Sequence, residues 1–113
     1  MHELSLTRSL LEIAEEHARG AGAKIIVGIT LEVGALSGAV PEALAFAFEV
    51  CRQGTMAEGA TLEIERVPIR CHCRVCAQEF EPADFVCECP RCGRPSTDIR
   101  RGRELQVTSL EVS

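Results

Sequence analysis

Six of the seven cysteines in the chain fall between Cys71 and Cys92, and four of these form two pairs, Cys73-x2-Cys76 and Cys89-x2-Cys92, with 12 residues between them. Two such turns can each grip one side of a tetrahedral ion, and four soft thiolates suit Zn(II) at about 2.3 Å per bond. A sphere filled by sulfur leaves no position for an activated water, so the chemistry expected is structural and not hydrolytic. The pairs lie within a short internal repeat, C-x-C-x-x-C, formed by Cys71-His72-Cys73-Arg74-Val75-Cys76 and Cys87-Glu88-Cys89-Pro90-Arg91-Cys92. Cys71 and Cys87 read as additional thiols beside the cluster, able to substitute as ligands, and His72 sits between two thiols as a lesser candidate. Crowded thiols in a reducing compartment point to metal, so no disulfide is expected.

A second constellation opens the chain. Met1-His2-Glu3 offers an α-amine, a backbone amide and an imidazole in succession. These nitrogens can close adjacent chelate rings around one ion, and a planar nitrogen and oxygen donor set suits Ni(II) or Cu(II). Glu3 adds an oxygen ligand or orients the ring. Taken alone, the triplet is also what an ordinary exposed chain start would show. His17 falls at a helix edge, and Cys51 reads as a small buried apolar residue. The sequence contains no Ser-His-Asp set, no phosphate loop and no paired carboxylates that can be placed in a pocket, so no enzyme is expected.

The elements that must position these residues are legible from periodicity. Leu6, Leu10, Ile13, Ala14 and His17 or Ala18 recur at helical spacing, with Gly20 as the stop. Ile25, Val27, Ile29, Leu31 and Val33 alternate with Ile26, Gly28, Thr30 and Glu32, which predicts a strand. Pro41 begins a second helix running through Leu44, Phe46, Phe48 and Cys51. A second strand spans Thr61 to Ile69 with Leu62 and Ile64 inward, and its alternation slips between Arg66 and Val67, as at a bulge. A third spans Glu104 to Val112 with a similar slip after Val107. Together they predict an α+β fold, two helices packed on a three-stranded sheet with Glu63, Glu65 and Gln106 in water, and an inserted zinc-ribbon-like module. The predicted division is 1–70 plus 101–113 as one domain and 71–100 as the other. The insertion has only Phe80, Phe85, Val86 and Ile99 as large apolar groups, so metal must supply much of its folding free energy.

Composition narrows the classes. The 113 residues fit one small domain with at most a satellite, and without Trp or Tyr and with four Phe the core is aliphatic. Twelve Lys plus Arg against 17 Asp plus Glu give a formal charge of -5, which disfavours nucleic acid as a partner. Residues 70–103 hold seven arginines against five carboxylates, a +2 excess that a tetrathiolate zinc centre of charge -2 would cancel. Those arginines read as counterions to the thiolates and as solvated surface. No apolar run approaches the roughly 18 residues needed to cross a membrane, and no basic segment leads into a secretory core, so the chain reads as cytoplasmic. Two other classes fit the sulfur site: a zinc-ribbon module binding nucleic acid, and a rubredoxin-like redox protein with iron in place of zinc.

The sequence resembles the HypA/HybF hydrogenase maturation proteins, a family of small nickel metallochaperones. The resemblance is carried by Met1-His2-Glu3-Leu4-Ser5, by Pro41-Glu42-Ala43-Leu44 with Phe46 and Phe48, and by Gly59-Ala60-Thr61-Leu62. It continues through both Cys-x-x-Cys turns to Gly102-Arg103-Glu104-Leu105 and Ser109-Leu110-Glu111-Val112. It implies that His2, with the Met1 amine and Glu3, binds Ni(II) as transient cargo, and that Cys73, Cys76, Cys89 and Cys92 hold structural Zn(II). It further implies a HypB-type maturation GTPase as partner, the large subunit of a [NiFe] hydrogenase as recipient, urease accessory proteins as partners in some members, and a monomer or homodimer. The departures from the family pattern are Ala77, where many members carry Gly, and the additional Cys71 and Cys87.

Overall fold

The computed structural model describes residues 3–82 and 86–113. The chain runs α1 (Glu3–Gly20), β1 (Ile26–Gly34), α2 (Pro41–Cys51), β2 (Thr61–Val67), β3 (Arg70–Cys73), β4 (Gln78–Phe80), β5 (Ile99–Arg101) and β6 (Leu105–Val112). α1 buries Thr7, Leu10, Leu11, Ala14 and Ala18 on one face, with Leu11 in the core in place of the expected Ile13, which stays exposed, and ends at Gly20 as the sequence suggests. α2 starts on Pro41, whose fixed φ suits the first helical turn, and buries Leu44, Ala47 and Phe48 while Phe46 stays 74% exposed.

The first sheet has the order β2-β1-β6, with β1 parallel to β2 and antiparallel to β6. Both helices contribute to one core with this sheet, in which Ile29, Leu31 and Val33 of β1 join Leu10, Leu11, Ala14, Leu44 and Phe48. Glu63, Glu65 and Gln106 are exposed on strands whose apolar residues turn to that core. Among the described residues no helix is long and apolar enough to cross a membrane.

Three register expectations resolve differently. Ile25 and Val27 do not share a buried face with Ile29: they are exposed, and Ile26 is buried instead. The cause is a register shift against β6, where Ile26 faces Val112 and Gly28 faces Glu111, so that Val27 is an extra residue on β1. The slip expected at Arg66 and Val67 is not a bulge, because the β1–β2 ladder runs unbroken from Gly28↔Thr61 to Gly34↔Val67. The inward parity changes there because the chain passes from one core to the next: Leu62 and Ile64 pack on the first, whereas Ile69, Cys71 and Cys73 belong to the second. The slip in the last strand is a true bulge, with Thr30 opposite Ser109 and Leu31 opposite Val107, leaving Thr108 as the additional residue.

A second sheet, order β4-β3-β5, is antiparallel throughout. Strands of three or four residues are too short to show a period, and nothing in the sequence marks them beyond the repeat. The two sheets meet at the end of β1. There the N–H groups of Gly34, Ala35 and Leu36 donate to the carbonyls of Glu104 (2.6 Å), Val67 (2.9 Å) and Gly102 (2.6 Å), clamping the chain both where it leaves the first sheet and where it returns. The approach is so close that a Cβ on Gly34 would stand 2.2 Å from the Gly102 carbonyl oxygen. Gly34→Ala is therefore expected to cost about 1–3 kcal/mol by overpacking, read as a lower urea midpoint.

Candidate metal centre

The first Cys-x-x-Cys turn is the tip of the β3–β4 hairpin, in which Cys71 pairs with Phe80, His72 with Glu79 and Cys73 with Gln78. This hairpin places Cys73 at the strand end and Cys76 in the turn. Ala77 then takes a left-handed φ of 52°, and Gly93 takes the corresponding φ of 73° after the second turn. The Ala departure thus keeps the backbone form that glycine adopts more easily. The second turn is closed by Gly93 N–H to the Cys89 carbonyl (2.8 Å) and Cys89 N–H to the Arg94 carbonyl (2.9 Å).

The four predicted sulfurs converge. The Sγ atoms of Cys73, Cys76, Cys89 and Cys92 all lie within 4.8 Å of one another, with Cys73 to Cys92 at 3.6 Å and Cys89 to Cys76 at 4.0 Å. A tetrahedron with bonds of about 2.3 Å has sulfur–sulfur edges of about 3.8 Å, so the donor set and its spacing fit a tetrathiolate ion. Cys73 and Cys89 are buried, Cys76 is half-buried and Cys92 is exposed, so one edge of the cluster faces solvent.

Sequence reasoning missed the strap that holds the turns together. Ser96 donates through its hydroxyl to the His72 carbonyl and through its N–H to the Cys87 carbonyl (2.7 Å). The Asp98 N–H bonds the same Ser96 oxygen (3.2 Å), and the His72 N–H bonds the Asp98 carbonyl (2.8 Å). The signal available was the Ser-x-Asp spacing of a side-chain turn, which is weak without a structure. His72 enters through its backbone and not as one of the converging donors. Arg70 and Arg100 pair with Glu79 and Asp98, while Arg74, Arg91 and Arg94 are exposed and form no ion pair with a carboxylate among the described residues. Their counterion role is thus confined in the first two cases to carboxylates.

Two further expectations are corrected or bounded. Cys71 and Cys87, read as free thiols, are joined in a disulfide; the converging repeats bring their Cα atoms to 6.3 Å, inside the range a disulfide spans. At the other constellation, Met1 and His2 lie outside the described residues, whereas Glu3 is the half-buried first residue of α1. Cys51 is half-buried and packs on the first core, with its thiol directed at the Leu4 carbonyl (3.7 Å).

The electrostatics of the sulfur cluster are uneven. Backbone N–H groups of Cys92 and Arg91 bond the Cys89 sulfur and, against the effect of burial, hold its pKa down to about 7. Burial, with the adjoining sulfurs of Cys92, Cys89 and Cys73, pushes Cys76 up to about 12. In the metal-free chain Cys89 therefore ionises well before Cys76, and protons compete with a metal at Cys89 only as pH falls below about 7. A spectroscopic thiolate titration of metal-free, full-length protein is expected to show an ionisation near that pH from Cys89. Cys89→Ser should abolish the early step.

Similarity to known proteins points the same way as the fold and the cluster. A family model described as hydrogenase/urease nickel incorporation, metallochaperone, hypA, matches residues 1–112. Proteins called hydrogenase maturation factor HypA from Picosynechococcus sp. and Geobacter metallireducens are each 46% identical over 112 residues, covering 99% of this chain and 99% of theirs. The solution structure of the Ni metallochaperone HypA from Helicobacter pylori superposes with a TM-score of 0.70 at 28% identity, covering 99% of this chain and 97% of that one. These relatives are accessory proteins of nickel incorporation and not catalysts. The chain belongs to the HypA family of hydrogenase/urease nickel-incorporation metallochaperones.

Proposed function

We propose that the protein binds Ni(II) through the Met1 amine, His2 and Glu3 and delivers it to the large subunit of a [NiFe] hydrogenase. In this reading it works with a HypB-type GTPase in the cytoplasm, and urease accessory proteins are further partners. Cys73, Cys76, Cys89 and Cys92 hold a resident Zn(II), which supplies a closed structural cross-link and no reactive position. The observation that carries the reading is the family match over residues 1–112, which takes in the N-terminal triplet and all four cysteines together.

The chemistry of a carrier supports it. Cargo must be held against random release yet stay open to the ligands of another protein, and a chain start is reachable from many directions. The N-terminus of α1 disfavours a cation by roughly 0.3–1 kcal/mol, and the carboxylate of Glu3 in the first turn opposes that term. Sulfur and nitrogen divide the two metals by softness and geometry: a tetrahedral thiolate set suits zinc, and planar nitrogens suit nickel.

Ni(II) titration of untagged, zinc-loaded protein tests the cargo site. His2→Ala is expected to weaken binding at least about 100-fold, since even an outer-shell partner of a metal ligand is worth roughly 10–100-fold. Lowering the pH through about 6.5 should release the ion from the wild type, because imidazole and amine must lose protons to coordinate. Equal binding by wild type and variant would remove the site.

We further propose that residues 71–100 fold as a metal-dependent unit, while 1–70 with 101–113 form the nickel-binding unit. Under reducing conditions Cys73→Ala is expected to abolish zinc binding and the NMR dispersion of the Phe80 and Ile99 signals, leaving the helical far-UV dichroism in place. Collapse of the helical signal as well would refute the division.

A further inference from the structure

Cys71 and Cys87 open the two C-x-C-x-x-C repeats, yet neither belongs to the group of four converging sulfurs. They are 16 positions apart and bonded to each other. Each stands two residues before a cage cysteine, Cys73 or Cys89, so the same two strips of chain, 71–76 and 87–92, are tied twice. One tie is the disulfide; the other is the four-sulfur cluster. The partners differ in access: Cys71 is 0% exposed, packed in the small core with Ile69, Cys73 and Phe80, whereas Cys87 is half-buried. That asymmetry assigns an order of attack, with Cys87 the entry thiol and Cys71 the resolving one.

We propose that Cys71 and Cys87 form a redox-modification site for low-molecular-weight disulfides of the glutathione class, and that their oxidation frees the fold of the four-cysteine module from its need for metal. The second half of this proposal rests on the reading of Cys73, Cys76, Cys89 and Cys92 as the metal cage. The Cys87 thiolate attacks one sulfur of RSSR, forming a Cys87–S–S–R bond as the original S–S bond breaks and RS⁻ leaves. The Cys71 thiolate then attacks the Cys87 sulfur, forming the Cys71–Cys87 bond and expelling the second RS⁻. Two cysteine thiols are oxidised, one RSSR is reduced to two RSH, and the two protons given up by the cysteines end on the released thiols. Excess RSH reverses both steps.

The two ties are redundant mechanically but answer to different conditions. When the pair is reduced, removal of the metal leaves only a small core, five buried side chains among the described residues, to hold the module. When it is oxidised, the covalent loop keeps strips 71–76 and 87–92 in contact and restrains the unfolded chain. Oxidation then protects the module through metal loss, and returning thiol restores its dependence on metal.

The test uses the full chain loaded with zinc and equilibrated at graded ratios of glutathione to glutathione disulfide, then alkylated and mapped by peptide mass spectrometry. Cys71 and Cys87 are expected to leave the alkylatable pool together as one linked peptide pair, with bound zinc unchanged. A disulfide that instead joins cage cysteines, or undiminished alkylation of Cys71 and Cys87, overturns the site. EDTA is then added, and the NMR dispersion of the Phe80 and Ile99 signals is followed. The oxidised wild type is expected to keep a folded-to-unfolded ratio about 100-fold above that of the reduced wild type, the factor that closing a loop of this length supplies. Cys87→Ser, which spares the fully buried position, should behave as reduced protein at every glutathione ratio. Equal loss of dispersion in oxidised and reduced wild type overturns the protective role. If the reduced protein binds no zinc at the outset, the cage reading fails, and the peptide map still decides the redox pair.

Discussion

Among the described residues the second core contains five buried side chains, Ile69, Cys71, Cys73, Phe80 and Cys89, and three of the five are cysteines. The first core, by contrast, gathers twelve buried residues from two helices, a sheet and the loop before β2. Burial of apolar surface can hold the larger assembly, but it is too small a term to offset the chain entropy of the smaller one. The Cys71–Cys87 bond and the four converging sulfurs both join strips 71–76 and 87–92 beside that small core. The strap through Ser96 and the carbonyls of His72 and Cys87 has a partner to hold only while those strips stay together.

The cluster also organises the charge around it. Cys89, bonded by the Cys92 and Arg91 backbone N–H groups, ionises near neutral pH, whereas burial and the adjoining sulfurs hold the Cys76 proton far above it. The arginines contribute less than their number suggests. Arg70 and Arg100 are taken up by surface pairs with Glu79 and Asp98, which are worth little individually in water. Arg101 is placed differently: it reaches Glu104 at 3.1 Å and Glu32 at 3.4 Å, bridging the returning chain to the central strand.

Much of this was legible in the sequence because several signals are local. Helical spacing in α1, Pro41 at the start of α2 and the paired cysteines each depend on residues close in the chain, and the structure keeps all three. The sheet registers were not legible in the same way. The parity change at Val67 has the same appearance as the one after Val107, yet the first marks passage between two cores and the second a bulge at Thr108. Only the neighbouring strand distinguishes them. The Cys71–Cys87 bond was hidden for a related reason: thiol crowding argues for metal, and nothing in the spacing says that two of six sulfurs point away from the cage to meet each other. Ser96 was hidden because its role lies in the carbonyls of His72 and Cys87, neither of them a near neighbour in the chain.

The order of strands in the first sheet has a consequence for biosynthesis. β1 is the middle strand, and its antiparallel neighbour β6 is the last element of the chain, beyond the entire four-cysteine module. A ribosome making this protein releases α1, β1, α2 and β2 first, so one edge of the nascent sheet waits open while about forty more residues are translated. The cysteine turns must emerge, and pass through the cell's thiol pool, before Leu105–Val112 can close that edge. Completion of the larger core is thus timed by the passage of the smaller one.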